Sequence, residues 1–239
     1  MLITAPTEIA SAIYDGPLEP ASAEARKRRS AVEGLEQINV TIGEPIGWSV
    51  SDAYHRDQKA IPGALASLLG DGDAVIVGFA CTFRLPPDAT VKFAEFKVEL
   101  SADSDMTPIA YDLFPFRVTD DVRRNVRVAL APSLKFSELV EVTPGEVSVE
   151  LEYDQIIPTI EALGAREADF SWRMRPSRGQ QLAATSVFHA AVRLTRDMTK
   201  ISGTCGLQAD VKKGGGLLPS AHLPQNARRW FSITRDAIG

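Results

Sequence analysis

The sequence is poor in the residues that build most metal, redox and acid–base sites. It contains only two cysteines, Cys81 and Cys205, and three histidines in 239 residues. The cysteines form no CxxC pair and no recognised metal-ligand spacing occurs, so the sequence predicts no bound metal and no cofactor. The motifs GxGxxG, HExxH, GxSxG and GxxxxGK followed by Ser or Thr are also absent. These absences argue against a nucleotide-dependent enzyme or a familiar hydrolase.

An excess of positive charge and a long apolar run are lacking as well. The 26 basic residues are outnumbered by 31 acidic ones, giving a net charge of −5. General nucleic-acid binding rests on neutralising phosphates, so we do not expect it. No apolar stretch approaches the roughly 18–20 residues of a transmembrane helix. Residues 1–16 show no secretory signal pattern, and we expect a cytoplasmic protein with reduced thiols.

Alternation of apolar and polar residues is the main pattern that is present. It begins in the segment AVIVGFACTFRL, where every second residue from Val75 to Leu85 points to one side. In VKFAEFKVEL the apolar phase switches between Phe93 and Phe96, which indicates a bulge. The segment IAYDLFPFRV switches phase in the same way, and Pro115 weakens strand pairing there. Period-two alternation predicts strands rather than helices.

Further strands are predicted in NVRVAL, ELVEV, VSVELEY, ADFSWRM, SVFHAAVRL and TCGLQADV, whereas IIPTIEALG reads as a helical or irregular crossover. Because no helices of 10–15 residues separate the strands, a parallel doubly wound sheet is disfavoured. The sequence therefore predicts a mainly β protein, an antiparallel β-sandwich of about eight strands. An N-terminal helical arm, with a helix near 23–36 capped by Ser22, and a C-terminal helix complete this prediction.

The predicted organisation has three parts. Residues 1–70 are an arm of helix and loops that packs on the core. Residues 71–218 are the antiparallel β-sandwich core, and residues 219–239 are an amphipathic tail. Sequence alone leaves open whether the two arms pack on their own chain or on another subunit.

Two polar clusters are candidates for chemistry. Glu146, Glu150 and Glu152 lie on one face of a predicted strand. Neighbours on that face are about 7 Å apart, which is too far for Glu150 and Glu152 to share an ion without ligands from elsewhere. We interpret them as a water-facing strand surface. The loop at 49–57 holds two serines, His55 and two aspartates, but catalytic triads are recognised by geometry and not by closeness in sequence. The sequence therefore predicts no catalytic residue, and the 49–57 region is where an alternative enzyme site would lie.

The tail NARRWFSITRDAIG carries the candidate binding residues. On a helix capped by Asn226, the large apolar side chains fall on one face and the arginines fall off it. Buried aromatic and arginine side chains dominate many interfaces. The sequence therefore predicts a partner-binding surface made of Arg228, Arg229, Trp230 and Phe231.

Three functional hypotheses follow from these patterns. The first is a non-enzymatic β-rich module that binds a protein or ligand, or self-associates, because no coherent catalytic constellation is visible. The second is an enzyme whose site is assembled from distant loops, with the 49–57 region first among them. The third is a conditionally membrane-associating β protein, which would touch a membrane surface through the tail or rearrange its amphipathic strands 74–100 into a barrel.

Overall fold

In a computed structural model, the segments with alternating apolar and polar residues form two antiparallel sheets that face each other. The structure describes residues 11–51, 55, 72–101, 107–118, 159–176, 182, 185–195 and 197–238. The predicted strands NVRVAL, ELVEV and VSVELEY, with Glu146, Glu150 and Glu152, lie outside these residues.

Two short helices and the first strands precede the long central strands. The elements up to the second long strand are β1 (Ala12–Pro17), β2 (Glu19–Pro20), α1 (Ala23–Arg26), α2 (Arg29–Leu35), β3 (Asn39–Gly43), β4 (Ile46–Ser49), β5 (Asp73–Arg84) and β6 (Ala89–Ser101). The side-chain oxygen of Ser22 accepts a hydrogen bond from the backbone N–H of Ala25, which is the capping contact expected at a helix start.

The remaining elements are almost all strands. They are β7 (Ala110–Phe114), β8 (Arg117–Val118), β9 (Thr159–Leu163), β10 (Asp169–Arg175), β11 (Thr185–Leu194), β12 (Lys200–Lys213), β13 (Gly216–Leu217), β14 (Ala221–His222) and β15 (Trp230–Thr234), followed by a 3-10 turn, η1 (Arg235–Ala237).

The strands of the described residues are arranged in one six-stranded and one nine-stranded sheet. The first, sheet A, has the order β1-β3-β5-β11-β7, with β4 also paired to β5. The second, sheet B, has the order β2-β14-β12-β6-β10-β9-β8, with β13 and β15 also paired to β12. All of these pairs are antiparallel. The predicted mainly β sandwich is confirmed.

The core lies between the two sheets and is rich in aromatic rings. Trp172 of β10 is fully buried and stacks on Phe188 of β11 with ring centroids 4.9 Å apart. Phe79 of β5, in sheet A, contacts four rings that all belong to sheet B: Phe96, Phe170, Trp172 and Phe231. Aromatic pairs at such distances add to the apolar area that they bury, so this cluster helps to hold the two sheets together.

The phase switch predicted between Phe93 and Phe96 takes the form of a bulge, but the bulge lies at Lys92, before Phe93 and not after it. Asp210 of β12 pairs with Phe93, but the next residue, Val211, pairs with Val91, so one residue of β6 is left over. The extra residue turns the following side chains, and Phe96 joins the buried set as the sequence predicts.

Sequence-based predictions of local structure are wrong in three places. Within the arm predicted as helix and loops, β1, β3 and β4 are strands of sheet A. Residues 159–163, predicted as a crossover, form strand β9 between β8 and β10. The tail, predicted as a helix, forms strand β15 paired along β12. In β15 the inward residues are Phe231 and Ile233, so the period is two. Its aromatic and β-branched residues favour a strand once β12 offers a pairing partner.

A glycine on β12 makes room for the core. A Cβ built on Gly203 would lie 2.4 Å from the backbone oxygen of Glu99 and 3.1 Å from the Phe231 ring. A Cβ on Gly206, on the same strand, would lie 3.8 Å from its nearest neighbour, Lys97. Only the first position therefore requires the absence of a side chain.

This difference predicts opposite effects of one substitution at two nearby positions. Gly203→Ala should lower the free energy of unfolding by about 1–3 kcal/mol because the backbone or the Phe231 ring must move. Gly206→Ala should leave it unchanged or raise it by less than about 1 kcal/mol, since it only restricts the unfolded chain. Urea denaturation of both variants measures the difference. Equal midpoints would contradict the close approach at Gly203.

Candidate interaction surface

The four predicted binding residues are divided between the core and the surface. Phe231 is 1% exposed and packs edge-on against Phe79 with ring centroids 5.7 Å apart. Trp230, its neighbour, points to the opposite side of sheet B and is 59% exposed. Because adjacent strand residues alternate, the two rings cannot share one surface as they would on a helix. In this fold, Phe231 is a core residue.

The two arginines have different partners. The guanidinium of Arg229 donates hydrogen bonds to the backbone oxygens of Leu223 (2.6 Å) and Pro224 (2.7 Å), so it fastens the segment before β15 to its own chain. The guanidinium of Arg228 lies 4.5 Å from the centroid of the Trp230 ring and 3.7 Å from the Glu44 carboxylate. Arg228 therefore stacks on the exposed ring and also lies within ion-pair distance of Glu44.

Arg228 and Glu44 join the two sheets beside Trp230. Glu44 lies between β3 and β4 of sheet A, and the next strand begins with Ile46, which is 40% exposed. A Cβ on Gly47 would lie 3.1 Å from Ile233, so β4 and β15 pack against each other at the margin of the sandwich. We call Glu44, Ile46, Arg228 and Trp230, together with the free side of β15, the β15 edge.

The backbone of β15 shows which amides point away from sheet B. The N–H of Cys205 donates to the oxygen of Arg229 (2.7 Å), and the N–H of Arg235 donates to the oxygen of Thr199 (2.8 Å). In an antiparallel ladder hydrogen-bonded pairs alternate, so the residues bonded to β12 are 229, 231, 233 and 235. The N–H and C=O groups of Trp230, Ser232 and Thr234 therefore point to the opposite side. No described strand other than β12 pairs with β15.

The other edge strands of the described sheets carry features that discourage pairing with a further strand. β1 has a register shift and ends in Pro17, and β2 has two residues, one of them Pro20. β4 follows Pro45, β7 has a register shift and ends next to Pro115, and β8 and β13 have two residues each. β15 has five residues, an unshifted register and no proline or charged residue. Among the edge strands of the described sheets, β15 is therefore the one that lacks these protective features.

The serines of the 49–57 region serve the architecture in this structure. The hydroxyl of Ser51 and its backbone N–H donate to Asp73 Oδ1 at 2.6 and 3.2 Å, and the hydroxyl of Ser49 donates to Asp73 Oδ2. These contacts tie the end of β4 to the start of β5. His55 is exposed, and Asp52 and Asp57 lie outside the described residues.

A histidine that the sequence left unassigned lies on the outer side of sheet A. The His189 ring lies between Trp48 and Phe114, with ring centroids 6.2 and 6.0 Å away, and its Nε2 is buried without a hydrogen-bond partner. Burial lowers the pKa of His189 to about 4. The imidazole is therefore neutral at neutral pH. The alternation in SVFHAAVRL places this side chain opposite the core face, but no sequence signal indicates the rings that cover it.

The two cysteines are buried in the core and unpaired. Burial raises the pKa of both thiols, so neither is a thiolate near neutral pH. We expect a thiol reagent to label them slowly in native protein and rapidly in denaturant. Mass spectrometry over time measures this. Fast labelling of either cysteine without denaturant would contradict the packing around it.

Within the described ranges, no group of three or more metal-ligating side chains comes together. No helix of the described segments is long and apolar enough to cross a membrane.

Comparisons with known proteins assign no family. No protein-family model and no curated protein matches the chain. Among solved structures, the Clostridium perfringens delta-toxin matches 84% of this chain over 95% of its own, with 8% identity and a TM-score of 0.39. A structure described as a pore forming protein matches 92% of this chain over 91% of its own, with 8% identity and a TM-score of 0.40. Similarity at this level does not carry a function over to this chain.

Proposed function

We propose that this protein is a non-enzymatic binding module that takes up an extended segment of another protein chain along β15. The observation that supports it is the free side of β15, where Trp230, Ser232 and Thr234 direct their backbone N–H and C=O groups away from β12. A strand added there would obtain main-chain hydrogen bonds from the edge and specificity from the side chains beside it.

The side chains of the β15 edge suit this role. Trp230 offers a large apolar ring that is 59% exposed and that lies against the Arg228 guanidinium, which in turn pairs with Glu44. Tryptophan is also among the residues that most often dominate interface energies. Of the four residues predicted from sequence, Arg228 and Trp230 remain the proposed contacts.

The two alternative hypotheses have weaker support from the described residues. For an enzyme, Ser49 and Ser51 are already bound to Asp73. For a membrane protein that rearranges residues 74–100, β5 and β6 would have to leave the centre of the two sheets, where their inward side chains are buried. A membrane contact through Trp230 on the folded protein needs no such rearrangement. Flotation with lipid vesicles distinguishes it from peptide binding.

The test uses a phage-displayed library of random extended peptides selected against the full chain. Selected peptides should lose at least about tenfold in affinity for Trp230→Ala, since removing a central aromatic contact costs more than about 1.4 kcal/mol. They should also bind Ser232→Pro weakly, because proline removes the central outward N–H while leaving the ladder to β12 intact. Fluorescence polarisation of labelled peptides measures both affinities.

Leu217→Ala is the matched control. Leu217 is 73% exposed and pairs with Lys212, at the other end of β12 from Trp230, so its loss removes exposed apolar surface away from the edge. Peptides that bind all variants equally, or no enrichment at all, would overturn the proposal. Trp230-dependent flotation with phosphatidylserine-containing vesicles, in the absence of peptide binding, would replace it with membrane association.

A further inference from the structure

The outward groups of β15 form a row that is complementary to itself. They belong to Trp230, Ser232 and Thr234, which are evenly spaced about Ser232. If a second β15 lies antiparallel to the first with a two-fold axis at Ser232, then Ser232 meets its own copy and Trp230 meets Thr234. Each such pair would exchange both backbone hydrogen bonds, as hydrogen-bonded pairs of an antiparallel ladder do.

The side chains also match in this arrangement. On the inner side, Phe231 of one copy would lie beside Ile233 of the other, so the apolar layer would continue from one sheet to the next. On the outer side, the exposed Trp230 ring would lie beside Thr234. No charged residue occurs within β15, so no like charges oppose each other between Trp230 and Thr234, and the pairs of Arg229 with Arg235 that the axis creates lie just outside the ladder. The ladder would end after Thr234, because Arg235 begins η1.

We infer that the occupant of the β15 edge is a second copy of this chain, which pairs β15 with β15 about a two-fold axis at Ser232. This inference rests on the proposed function and names the partner for the same edge. Isologous two-fold contacts are the commonest way in which identical chains associate. Because one short strand and one exposed ring bury little area, the dimer should form in the micromolar concentration range.

The test places a charge at the two-fold axis by substituting Ser232. Sedimentation velocity of the full chain over a range of concentrations then measures dimerisation. Wild-type protein should shift from monomer to dimer as its concentration rises. Ser232→Lys and Ser232→Glu should each weaken dimerisation by about tenfold or more, because each places like charges opposite each other across the axis. An equimolar mixture of the two variants should dimerise again. Ser202→Lys is the control, since Ser202 lies opposite Ser232 on β12, one strand away from the edge.

Both charge variants should have the same melting temperature as the wild-type protein, because Ser232 is exposed. If either melts lower, Ser232→Cys tests the same axis. The Cα atoms of an antiparallel pair are close enough for a disulfide, so diamide should link two copies through the introduced thiols. Thr234→Cys, off the axis, should cross-link far less.

Several results would overturn the inference. These are a wild-type protein that stays monomeric, a dimer that neither charge variant weakens, and a variant mixture that remains monomeric. If the wild type stays monomeric while selected peptides still bind the edge, the proposed function stands and the second copy is excluded. If both experiments fail, the edge is not a binding surface.

Discussion

Replacing Phe231 with alanine is expected to lower the free energy of unfolding by about 3–5 kcal/mol, whereas replacing the adjacent Trp230 should change it by less than about 1 kcal/mol. Phe231 is buried against Phe79 and covers Gly203, so its removal leaves a cavity between the sheets. Trp230 loses mainly its stacking on Arg228. For a chain of this size, the first change should lower the melting temperature by roughly 10 °C.

Differential scanning calorimetry of the two single variants measures this contrast. The comparison separates the strand from the helix that the tail pattern predicts, because on that helix both rings would share one environment. Similar losses from the two substitutions would contradict the strand assignment of 230–234. A large loss from Trp230→Ala alone would mean that the exposed ring is covered by another part of the chain.

Acidification is expected to destabilise the protein through His189. Its pKa is about 4 in the folded protein and 6.5 as an ordinary value, because burial disfavours the charged ring. Above pH 6.5 both states are neutral and the residue adds no pH dependence. As the pH falls from 6.5 towards 4, the unfolded chain takes up a proton that the folded chain does not, so stability is lost. The two pKa values correspond to a loss of about 3 kcal/mol.

The His189→Gln variant separates the contribution of His189 to the pH dependence of stability from that of carboxylates protonated over the same pH range. The variant has no ring to protonate, so its stability should fall about 3 kcal/mol less than that of the wild type between pH 6.5 and 4. Urea denaturation at several pH values gives both curves. Parallel curves for the two proteins would show that His189 is protonated as easily in the folded state as in the unfolded one.

Period-two alternation predicts the sheets well where the strands are long and buried. The segments around Phe79, Trp172 and Phe188 carry large apolar residues at every second position, and each is a central strand. The presence of a bulge in β6 was also predictable, because an extra residue reverses the apolar phase on the two sides of it.

Short strands whose formation depends on a neighbour were not predictable in the same way. β9 has only five residues and follows Pro158, and β1, β3 and β4 lie in a region whose glycines and prolines suggest loops. The tail fits a helical period as well as a strand period. What decides its structure is the long strand β12, whose free side pairs with residues 230–234, and this partner is distant in sequence.

The proposed surface lies in the segment that the aromatic and arginine residues of the tail point to, and whether it binds a partner stays a prediction. The helical period used for the tail placed Phe231 beside Trp230, whereas the strand places the two rings on opposite sides. Glu44 and Ile46 come from sheet A, and no pattern within either segment links them to Trp230. The outward amides of β15 are a property of strand register, which the sequence does not encode locally.

Residue-resolved amide hydrogen exchange in dilute protein tests the free β15 edge most directly. An alternating pattern of exchange is expected along β15. The amides of Phe231 and Ile233, bonded to β12, should exchange slowly, and those of Trp230, Ser232 and Thr234 should exchange rapidly. At high protein concentration the second group should become protected as partners pair with the edge. Uniformly slow exchange from Trp230 to Thr234 in dilute protein would show that the edge is covered by its own chain and is not free.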